Sequence, residues 1–549
     1  MGFLLDKSRK EQFRPYFSQK ESFEEKLNKY SVSQSEFSHI TTDYVFTENN
    51  IGGIPLSWEG GRTTVAVDQS DSHSLVIGPT GSKKTRLIAM PAVRILGTAG
   101  ESIIVSDPKA EIYSRTADYL KKQGYDISVI NLRTPDYSKR WNPLSIPYQF
   151  YCEGNLDKAC EFANDIAQNM IPLSSEKDPF WENSAASFLF GLIMLLFMYC
   201  KEYHISDENV NLKNIFVLRN IMFAGTDTEI KKSYLWEYAQ RDTFIKNSLI
   251  GTVETAKDTR AGILSTFDQA MRNIAIQPNL LDMLSQNELN LNHFLDKKQA
   301  VYMIMPDEKT SYHKLVSLFI KQSYEYFIYM AQRDLYDRSV NTGYLPIRIN
   351  YILDEFSSLP TVTDFPSMIT AARSRNIRFT LFVQSKHQLK QRYDEETETI
   401  LANCINWIFL TTRELPLLKD MSELCGTKDQ KPILSVAHLQ RLSKEEGEVL
   451  ILSGRKKPYV TLLPDIDFYD KGQIKVIPLQ KQDSISNSEI DLSVLQEEYE
   501  NRKQDLTDAQ KTDISFLWRL VEKKMDELEK IEKMQGVRNG QYEGIEPGK

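Results

Sequence analysis

The feature that most constrains this chain is an octapeptide that follows a short apolar run, residues 74–77, and precedes a segment with helical character. It reads Gly78-Pro79-Thr80-Gly81-Ser82-Lys83-Lys84-Thr85. In the pattern G-x-x-x-x-G-K-[ST], backbone N–H groups at a helix N-terminus wrap phosphate groups, the lysine neutralises their charge and the hydroxyl binds Mg²⁺. Gly78, Gly81, Lys84 and Thr85 fit it. We therefore predict that this loop binds a nucleoside triphosphate with Mg²⁺.

One position of the loop departs from the pattern. Lys83 stands where the motif has a second glycine. A Cβ atom there crowds the phosphate cradle, and the ammonium adds a positive charge close by. Two alternatives follow. Either the loop tolerates the lysine with its side chain turned outward, or hydrolysis is impaired.

A phosphate-binding loop also needs carboxylates for the metal ion and for the attacking water. Residues 349–353 read as a buried strand that ends in Asp354-Glu355. We expect Asp354 to hold Mg²⁺ through its carboxylate or through water. We expect Glu355 to orient and deprotonate the water near the γ-phosphate. The alternative for this pair is a solvated turn at a strand end.

Two further candidates follow that strand. Three arginines lie between Arg373 and Arg378, before a strand that ends at Gln384. The arginines form either a solvated or phosphate-facing surface, or supply one side chain that reaches the γ-phosphate of a neighbouring subunit, as an arginine finger does. Gln384 is placed to sense the γ-phosphate, and its alternative role is a polar strand cap.

From residues 74–77 onward, apolar runs alternate with helical segments. The runs after the loop are residues 102–105, 127–130, 300–305, 347–353, 378–383 and 407–410, with a hairpin at 448–453 and 459–463. Strands that alternate with helices predict a parallel sheet with right-handed crossovers. Between about residues 145 and 295 the pattern is helical throughout. We therefore predict an α/β fold interrupted by an all-α insertion.

Length and composition agree with a globular protein of several domains. The chain has 549 residues, of which 41% are hydrophobic, and a net charge of −8, which excludes a protein that coats nucleic acid along its whole surface. Five cysteines without a C-x-x-C pair argue against a disulfide framework or a zinc site. We place the boundaries at 1–60 (N-terminal segment), 61–145 and 296–480 (nucleotide-binding domain), 146–295 (helical insertion) and 481–549.

Neither end of the chain predicts a membrane anchor. The N-terminal apolar stretch is too short for a signal peptide. Residues 183–200 carry no charge, but their continuous apolar run, residues 188–198, is typical of a buried core helix rather than a span of about 20 residues.

Residues 481–549 contain 16 acidic and 11 basic side chains, which indicates a solvated linker. The spacing of Leu517, Val521, Leu528 and Ile531 then predicts an amphipathic helix that packs on the body or docks a partner.

Several strings besides the phosphate-binding loop occur in a recognisable order over about residues 50–460. They are Gly52-Gly53-Ile54-Pro55-Leu56, Ser106-Asp107-Pro108-Lys109-Ala110-Glu111, Asn142-Pro143-Leu144, Asp178-Pro179-Phe180-Trp181-Glu182, Leu353-Asp354-Glu355-Phe356, Ala372-Arg373-Ser374-Arg375-Asn376-Ile377-Arg378 and Gln384-Ser385. With them the chain resembles the coupling ATPases of bacterial conjugation and type IV secretion, the TraG/TraD-like family of the RecA/FtsK-like superfamily.

The resemblance implies a RecA-like nucleotide-binding domain with an all-helical insertion, and a homo-hexameric ring that binds ATP between subunits. It implies that Arg373 is the inter-subunit arginine finger and Gln384 the γ-phosphate sensor. It also implies that the ring recruits a relaxase complex with its single-stranded DNA and hands the strand to a secretion channel. The expected partners therefore include the channel's ATPase.

The family usually carries N-terminal transmembrane helices, which this sequence does not show. We therefore expect a cytoplasmic protein that a membrane-anchor protein recruits to the cytoplasmic face of the cell membrane. Two alternative functions stay open: an FtsK-like translocase of duplex DNA, and a weakly hydrolysing nucleotide-binding adaptor for the relaxosome, which Lys83 motivates. The basic clusters at 373–378 and 455–457 face either DNA phosphates or solvent, and binding by such groups is salt-sensitive.

Overall fold

A large sheet forms the centre of the molecule. The computed structural model describes residues 38–41, 52–58, 64–173, 179–306, 308–337, 343–454, 457–470, 475–483 and 489–539. The strands are β1 (Ser38–Thr41), β2 (Ile54–Trp58), β3 (Thr64–Asp68), β4 (His73–Ile77), β5 (Ser102–Asp107), β6 (Asp126–Asn131), β7 (Gln299–Ile304), β8 (Ile349–Leu353), β9 (Ile377–Val383), β10 (Cys404–Phe409), β11 (Thr427–Lys428), β12 (Lys431–Pro432), β13 (Glu448–Ser453) and β14 (Tyr459–Leu462). Twelve of them form one sheet in the order β1-β3-β2-β14-β13-β10-β4-β9-β8-β5-β7-β6, and β11 pairs only with β12.

The sheet has a parallel part and an antiparallel part. From β10 to β6 all neighbouring strands are parallel. The strands from β1 to β13 are antiparallel and extend the sheet beyond β10. Parallel strands are covered on both faces, which explains why β4, β5, β7 and β8 are buried along their whole length. The predicted α/β fold with a mainly parallel sheet is confirmed.

Helices cover both faces of the parallel part. They are α1 (Met90–Ala99), α2 (Glu111–Lys122), α3 (Ser145–Glu153), α4 (Leu156–Met170), α5 (Phe180–Glu202), α6 (Leu212–Met222), α7 (Asp227–Lys231), α8 (Tyr234–Ala239), α9 (Thr243–Val253), α10 (Lys257–Ala275), α11 (Pro278–Met283), α12 (His313–Asp337), α13 (Phe365–Ala372), α14 (Lys386–Tyr393), α15 (Thr397–Asn403), α16 (Leu415–Leu424), α17 (Val436–Leu439), α18 (Ile466–Asp470) and α19 (Ser493–Asn539).

Between β6 and β7 the described chain is helical, from α3 to α11. Helix α5 runs through the centre of these helices. It is the one helix in the described ranges that is long and apolar enough to cross a membrane, and 72% of its most apolar window is buried inside the protein. The segment 183–200 is therefore a core helix, as the length of its apolar run predicts.

Two segments differ from the sequence-based expectations. The two leading glycines of Gly52-Gly53-Ile54-Pro55-Leu56 are typical of a turn, but the last three residues begin β2. The reason is a close approach, because a Cβ atom on Gly53 would lie 2.3 Å from the carbonyl oxygen of Asp68 in β3. The acidic C-terminal segment becomes helical at Ser493, well before Leu517. Glu, Lys, Gln and Leu are good helix formers, so a composition typical of a solvated linker also suits an exposed helix.

Candidate functional site

The phosphate-binding loop leaves the sheet at the carboxyl end of β4. The amide of Gly78 donates to the carbonyl of Val383 at the end of β9, at 3.1 Å. Gly81 has φ = +78°, a conformation that favours glycine. The Lys84 ammonium donates to the carbonyl oxygens of Gly78 at 2.5 Å and Pro79 at 3.3 Å. The lysine is thus held against the backbone of its own loop rather than extended into solvent.

The loop and the strand-end carboxylate meet through one hydrogen bond. The Thr85 hydroxyl, in the π-helical turn Thr85–Ala89 that precedes α1, donates to Asp354 Oδ2 at 3.0 Å. Asp354 follows β8, and the carbonyl of Asp354 accepts from the Ser106 hydroxyl in β5 at 2.8 Å. A hydroxyl and a carboxylate at this distance are oxygen ligands of the kind that Mg²⁺ takes in proteins. The two predicted metal ligands therefore lie together.

Burial shifts the pKa values of Asp354 and Lys84. It raises the pKa of Asp354 to about 6, against the opposing effects of Lys84 and of the Thr85 hydroxyl. Burial also lowers the pKa of Lys84, while Asp354 and Glu355 counteract that change. Asp354 and Lys84 each favour the charged form of the other, and a divalent cation at Asp354 would favour the carboxylate further.

Glu355 has a strained backbone at the tip of β8. Its φ of +53° is left-handed, which costs a non-glycine residue about 1–2 kcal/mol. The turn is fixed by two hydrogen bonds, from the Glu355 amide to Asp354 Oδ1 at 3.1 Å and from the Ser358 amide to the Glu355 carbonyl at 2.8 Å. Strain of this kind is found at functional sites more often than elsewhere.

Gln384 follows β9, the strand between β4 and β8. Because Val383 is bonded to Gly78, Gln384 stands beside the first residue of the loop. Its side-chain oxygen accepts from Gln388 Nε2 at 3.5 Å, at the start of α14. The sheet order therefore brings Gln384 to the same edge as Lys84, Thr85, Asp354 and Glu355, as the parallel register requires.

Lys83 has φ = +68°, in the left-handed region that favours the glycine of the motif. Its ammonium donates to Glu445 Oε2 at 2.6 Å, and the Glu445 side chain is 69% exposed. The lysine, by hydrogen bond and charge, holds the pKa of Glu445 below its usual value. Of the two alternatives, the structure has the outward-turned side chain, which points to a carboxylate on the loop before β13.

Arg373 is the one predicted site residue that lies elsewhere. It follows α13 and precedes β9, so it stands at the amino end of the strand whose carboxyl end carries Gln384. The seven residues of β9 span about 20 Å. Arg373 is exposed and is separated from the phosphate-binding loop of its own chain by the length of the sheet.

Arg378, in the same basic cluster, lies inside the protein rather than on its surface. It is buried, and its guanidinium bonds Glu101 Oε2 at 2.5 Å and Asn350 Oδ1 at 2.8 Å. The prediction that it belongs to an exposed basic surface is wrong, because its position inside β9 turns it into the sheet. In the other cluster, Arg455 and Lys456 lie outside the described residues.

The sequence analysis gave no role to two residues at this edge. Asp107, at the end of β5, accepts from the Tyr113 amide at 2.8 Å, and burial raises its pKa to about 7, with Asp354 adding to the rise. The string Asp107-Pro108-Lys109 after an apolar run was the available signal for it. Glu445 had no comparable signal, since 362 positions separate it from Lys83.

A family model described as type IV secretory system conjugative DNA transfer matches residues 20–432. The chain belongs to this family. No curated protein sequence matches the chain significantly. Membership in the family confirms the resemblance drawn from the strings between about residues 50 and 460.

Among solved structures, the chain is similar to the bacterial conjugative coupling protein TrwB. The form with sulphate has a TM-score of 0.53 and 14% identity, over 72% of this chain and 86% of that chain. The complex with the ATP analogue ADPNP has a TM-score of 0.52 and 13% identity, over 84% and 96%. The complex with ADP and Mg²⁺ has a TM-score of 0.54 and 12% identity, over 83% and 95%. At these identities the likeness shows the fold alone.

Proposed function

We propose that this chain binds and hydrolyses ATP as the coupling protein that recruits relaxase-bound single-stranded DNA to a type IV secretion channel. The observation that carries the proposal is the hydrogen bond between Thr85 and Asp354, which joins the phosphate-binding loop to a strand-end carboxylate. Family membership supports the role in conjugative DNA transfer. The TrwB complexes with ADPNP and with ADP and Mg²⁺ support ATP and Mg²⁺ as the ligands.

Each site residue then has a role in hydrolysis. Lys84 leaves the loop carbonyls and neutralises charge on the β- and γ-phosphates, and Thr85 and Asp354 hold Mg²⁺. The bound metal ion supplies further neutralisation of the phosphate charge. Glu355 accepts the proton of the attacking water, and Gln384 contacts the γ-phosphate. The loop backbone from Gly78 to Thr85 binds the phosphates, with the Lys83 side chain turned to Glu445.

The remaining role requires a second copy. Arg373 is too far from its own loop to stabilise the transition state there. In a homo-hexameric ring, the exposed arginine of one subunit reaches the γ-phosphate that its neighbour binds. The ring works at the cytoplasmic face of the membrane, where an anchor protein and the channel's ATPase are its partners.

The test is ATP turnover by the purified full chain, with single-stranded DNA, with duplex DNA and without DNA. The proposal predicts turnover that single-stranded DNA stimulates and that Lys84→Ala reduces at least about 100-fold, because the phosphate charge is no longer neutralised. Equal turnover by Lys84→Ala and wild type would refute the site.

Two other results would favour the alternative functions. Stimulation by duplex DNA alone would favour a duplex translocase. Nucleotide binding without turnover, with turnover gained by Lys83→Gly, would favour an adaptor that hydrolyses weakly because of Lys83.

A further inference from the structure

The outer part of α19 carries a large apolar surface in solvent. Every residue from 515 to 531 is exposed. Eight of these seventeen are large apolar side chains, each at least 43% exposed. They are Phe516, Leu517, Trp518, Leu520, Val521, Met525, Leu528 and Ile531. Contiguous apolar surface of this kind marks an interaction site in a soluble domain.

The inner part of the same helix is fixed to the helical insertion. Leu495 is fully buried in the core cluster. Tyr499 donates its hydroxyl to the carbonyl of Lys232 at 2.7 Å, and Tyr203 donates to Glu498 Oε2 at 3.0 Å. The helix therefore leaves the body in a direction set by these contacts. Residues 505–539 extend it by about 50 Å.

The apolar side chains follow a heptad pattern. Trp518, Val521, Met525 and Leu528 are separated by three, four and three residues, which is the a-d-a-d spacing of a coiled coil. Leu517 and Ile531 then occupy g positions beside this seam. A seam widened in this way buries more apolar surface against another helix than the four a and d residues alone.

The charges specify which helix can pair with this seam. Lys524 is at a g position, and Glu522 and Glu529 are at e positions. In a parallel pair the g side chain faces the e side chain five residues further along the partner, so Lys524 meets Glu529 of the other copy. An antiparallel pair would bring the e-position glutamates together. Residues 515–531 contain four acidic and four basic side chains, so no net charge favours nucleic acid or anionic lipid.

We propose that residues 515–531 form a parallel coiled coil with the same segment of a second copy of this chain. Copies related by a rotation axis project their docked helices from equivalent positions, which makes a parallel arrangement of the outer parts available. Burial of the six apolar side chains at the a, d and g positions drives the association, and the pair of Lys524 and Glu529 sets its register. The contact is separate from the nucleotide site and does not depend on hydrolysis.

The first test is sedimentation velocity of the full chain over a range of concentrations. Lys524→Glu or Glu529→Lys alone turns the attractive pairs into repulsive ones, and we expect either to weaken association about tenfold. Combining the two substitutions restores opposite charges, and association returns. Lys523→Glu makes the same change of charge at an outward f position and leaves association at the wild-type level.

The second test reports the register directly. In a Cys152→Ser background, which removes the exposed native thiol, Val521→Cys places identical d positions face to face and forms a disulfide between copies under mild oxidation. Lys523→Cys does not. The proposal is overturned if the wild-type chain stays monomeric at tens of micromolar, if the charge reversals leave association unchanged, or if the protein binds vesicles of anionic phospholipid through residues 515–531 instead.

Discussion

The two edges of the parallel sheet use charged residues in opposite ways. At the amino edge, charges are paired: Arg378 bonds Glu101, and Arg348 bonds Asp71 and Asn376. At the carboxyl edge, the carboxylates of Asp107 and Asp354 are buried near each other, and burial raises the pKa of both. Breaking a buried charge pair destabilises the fold, whereas a buried carboxylate that lies near a second carboxylate can bind a cation. Arg373 is an exception, because it lies at the amino edge but is exposed.

The largest expected effect concerns that exception. If Arg373 acts on the site of a neighbour, Arg373→Ala lowers ATP turnover about 10³-fold, since an arginine finger contributes at least that much. Glu355→Gln also inactivates each ring. Mixing the two inactive variants creates interfaces with an intact Glu355 site and an intact Arg373, so turnover partly returns. Turnover is measured before and after mixing. A mixture as inactive as its components would indicate that Arg373 has a structural role, like the paired charges of the amino edge.

Arg378 provides the structural counterpart on the same edge. Arg378→Ala leaves the Glu101 carboxylate buried without its main partner. We expect a loss of about 3 kcal/mol in the free energy of unfolding, near the lower limit for breaking a buried pair, because Arg348 Nη1 remains 3.5 Å from Glu101 Oε1. Urea unfolding followed by tryptophan fluorescence measures the loss. Arg373→Ala is the matched control, and an equal loss in both variants would contradict the distinction between them.

At the carboxyl edge, the buried Asp354 should make the protein less stable as pH rises. Because the pKa of Asp354 rises from 3.8 unfolded to about 6 folded, the stability that its protonated form contributes is lost as pH rises through 6. Asp354→Asn avoids that loss, so its melting temperature should exceed that of wild type at pH 8 and approach it at pH 4, without nucleotide or metal. The same variant loses Mg²⁺-dependent turnover.

The comparison variant for this measurement is Glu101→Gln. It removes one charge of the pair with Arg378 and should lower the melting temperature at pH 8, where Asp354→Asn raises it. Two variants that shift the melting temperature in the same direction would show that the two edges do not differ in this respect.

The sequence predicted those parts of the site that local pattern determines. The loop at 78–85 and the strand that ends in Asp354-Glu355 are each readable from a few consecutive residues, and parallel strands bring their carboxyl ends to one edge. The same reasoning located the strands from β4 to β10 and the buried helix α5. Local pattern also suggested that the arginines near 373 act together. The structure separates them, because Arg378 lies inside β9 and Arg373 precedes it.

Local sequence pattern does not predict contacts between distant segments. No pattern links Glu101 to Arg378 or Lys83 to Glu445, since each pair is joined only when segments that are far apart in sequence meet at an edge of the sheet. Strand β2 was missed because its two leading glycines resemble a turn, although they serve a close approach to β3. The early start of α19 was missed because a charged composition does not distinguish a linker from an exposed helix.

The smallest expected effect belongs to Lys83 and Glu445, an exposed ion pair in which the loop itself takes part. An exposed pair contributes little, so Glu445→Gln should change turnover less than about threefold. Lys83→Gly removes both the pair and the left-handed strain at φ = +68°, and should raise the melting temperature while turnover stays within the same limit. Turnover and melting are measured on both variants beside wild type. A tenfold gain of turnover in Lys83→Gly would mean that the lysine obstructs the phosphate site in spite of Glu445.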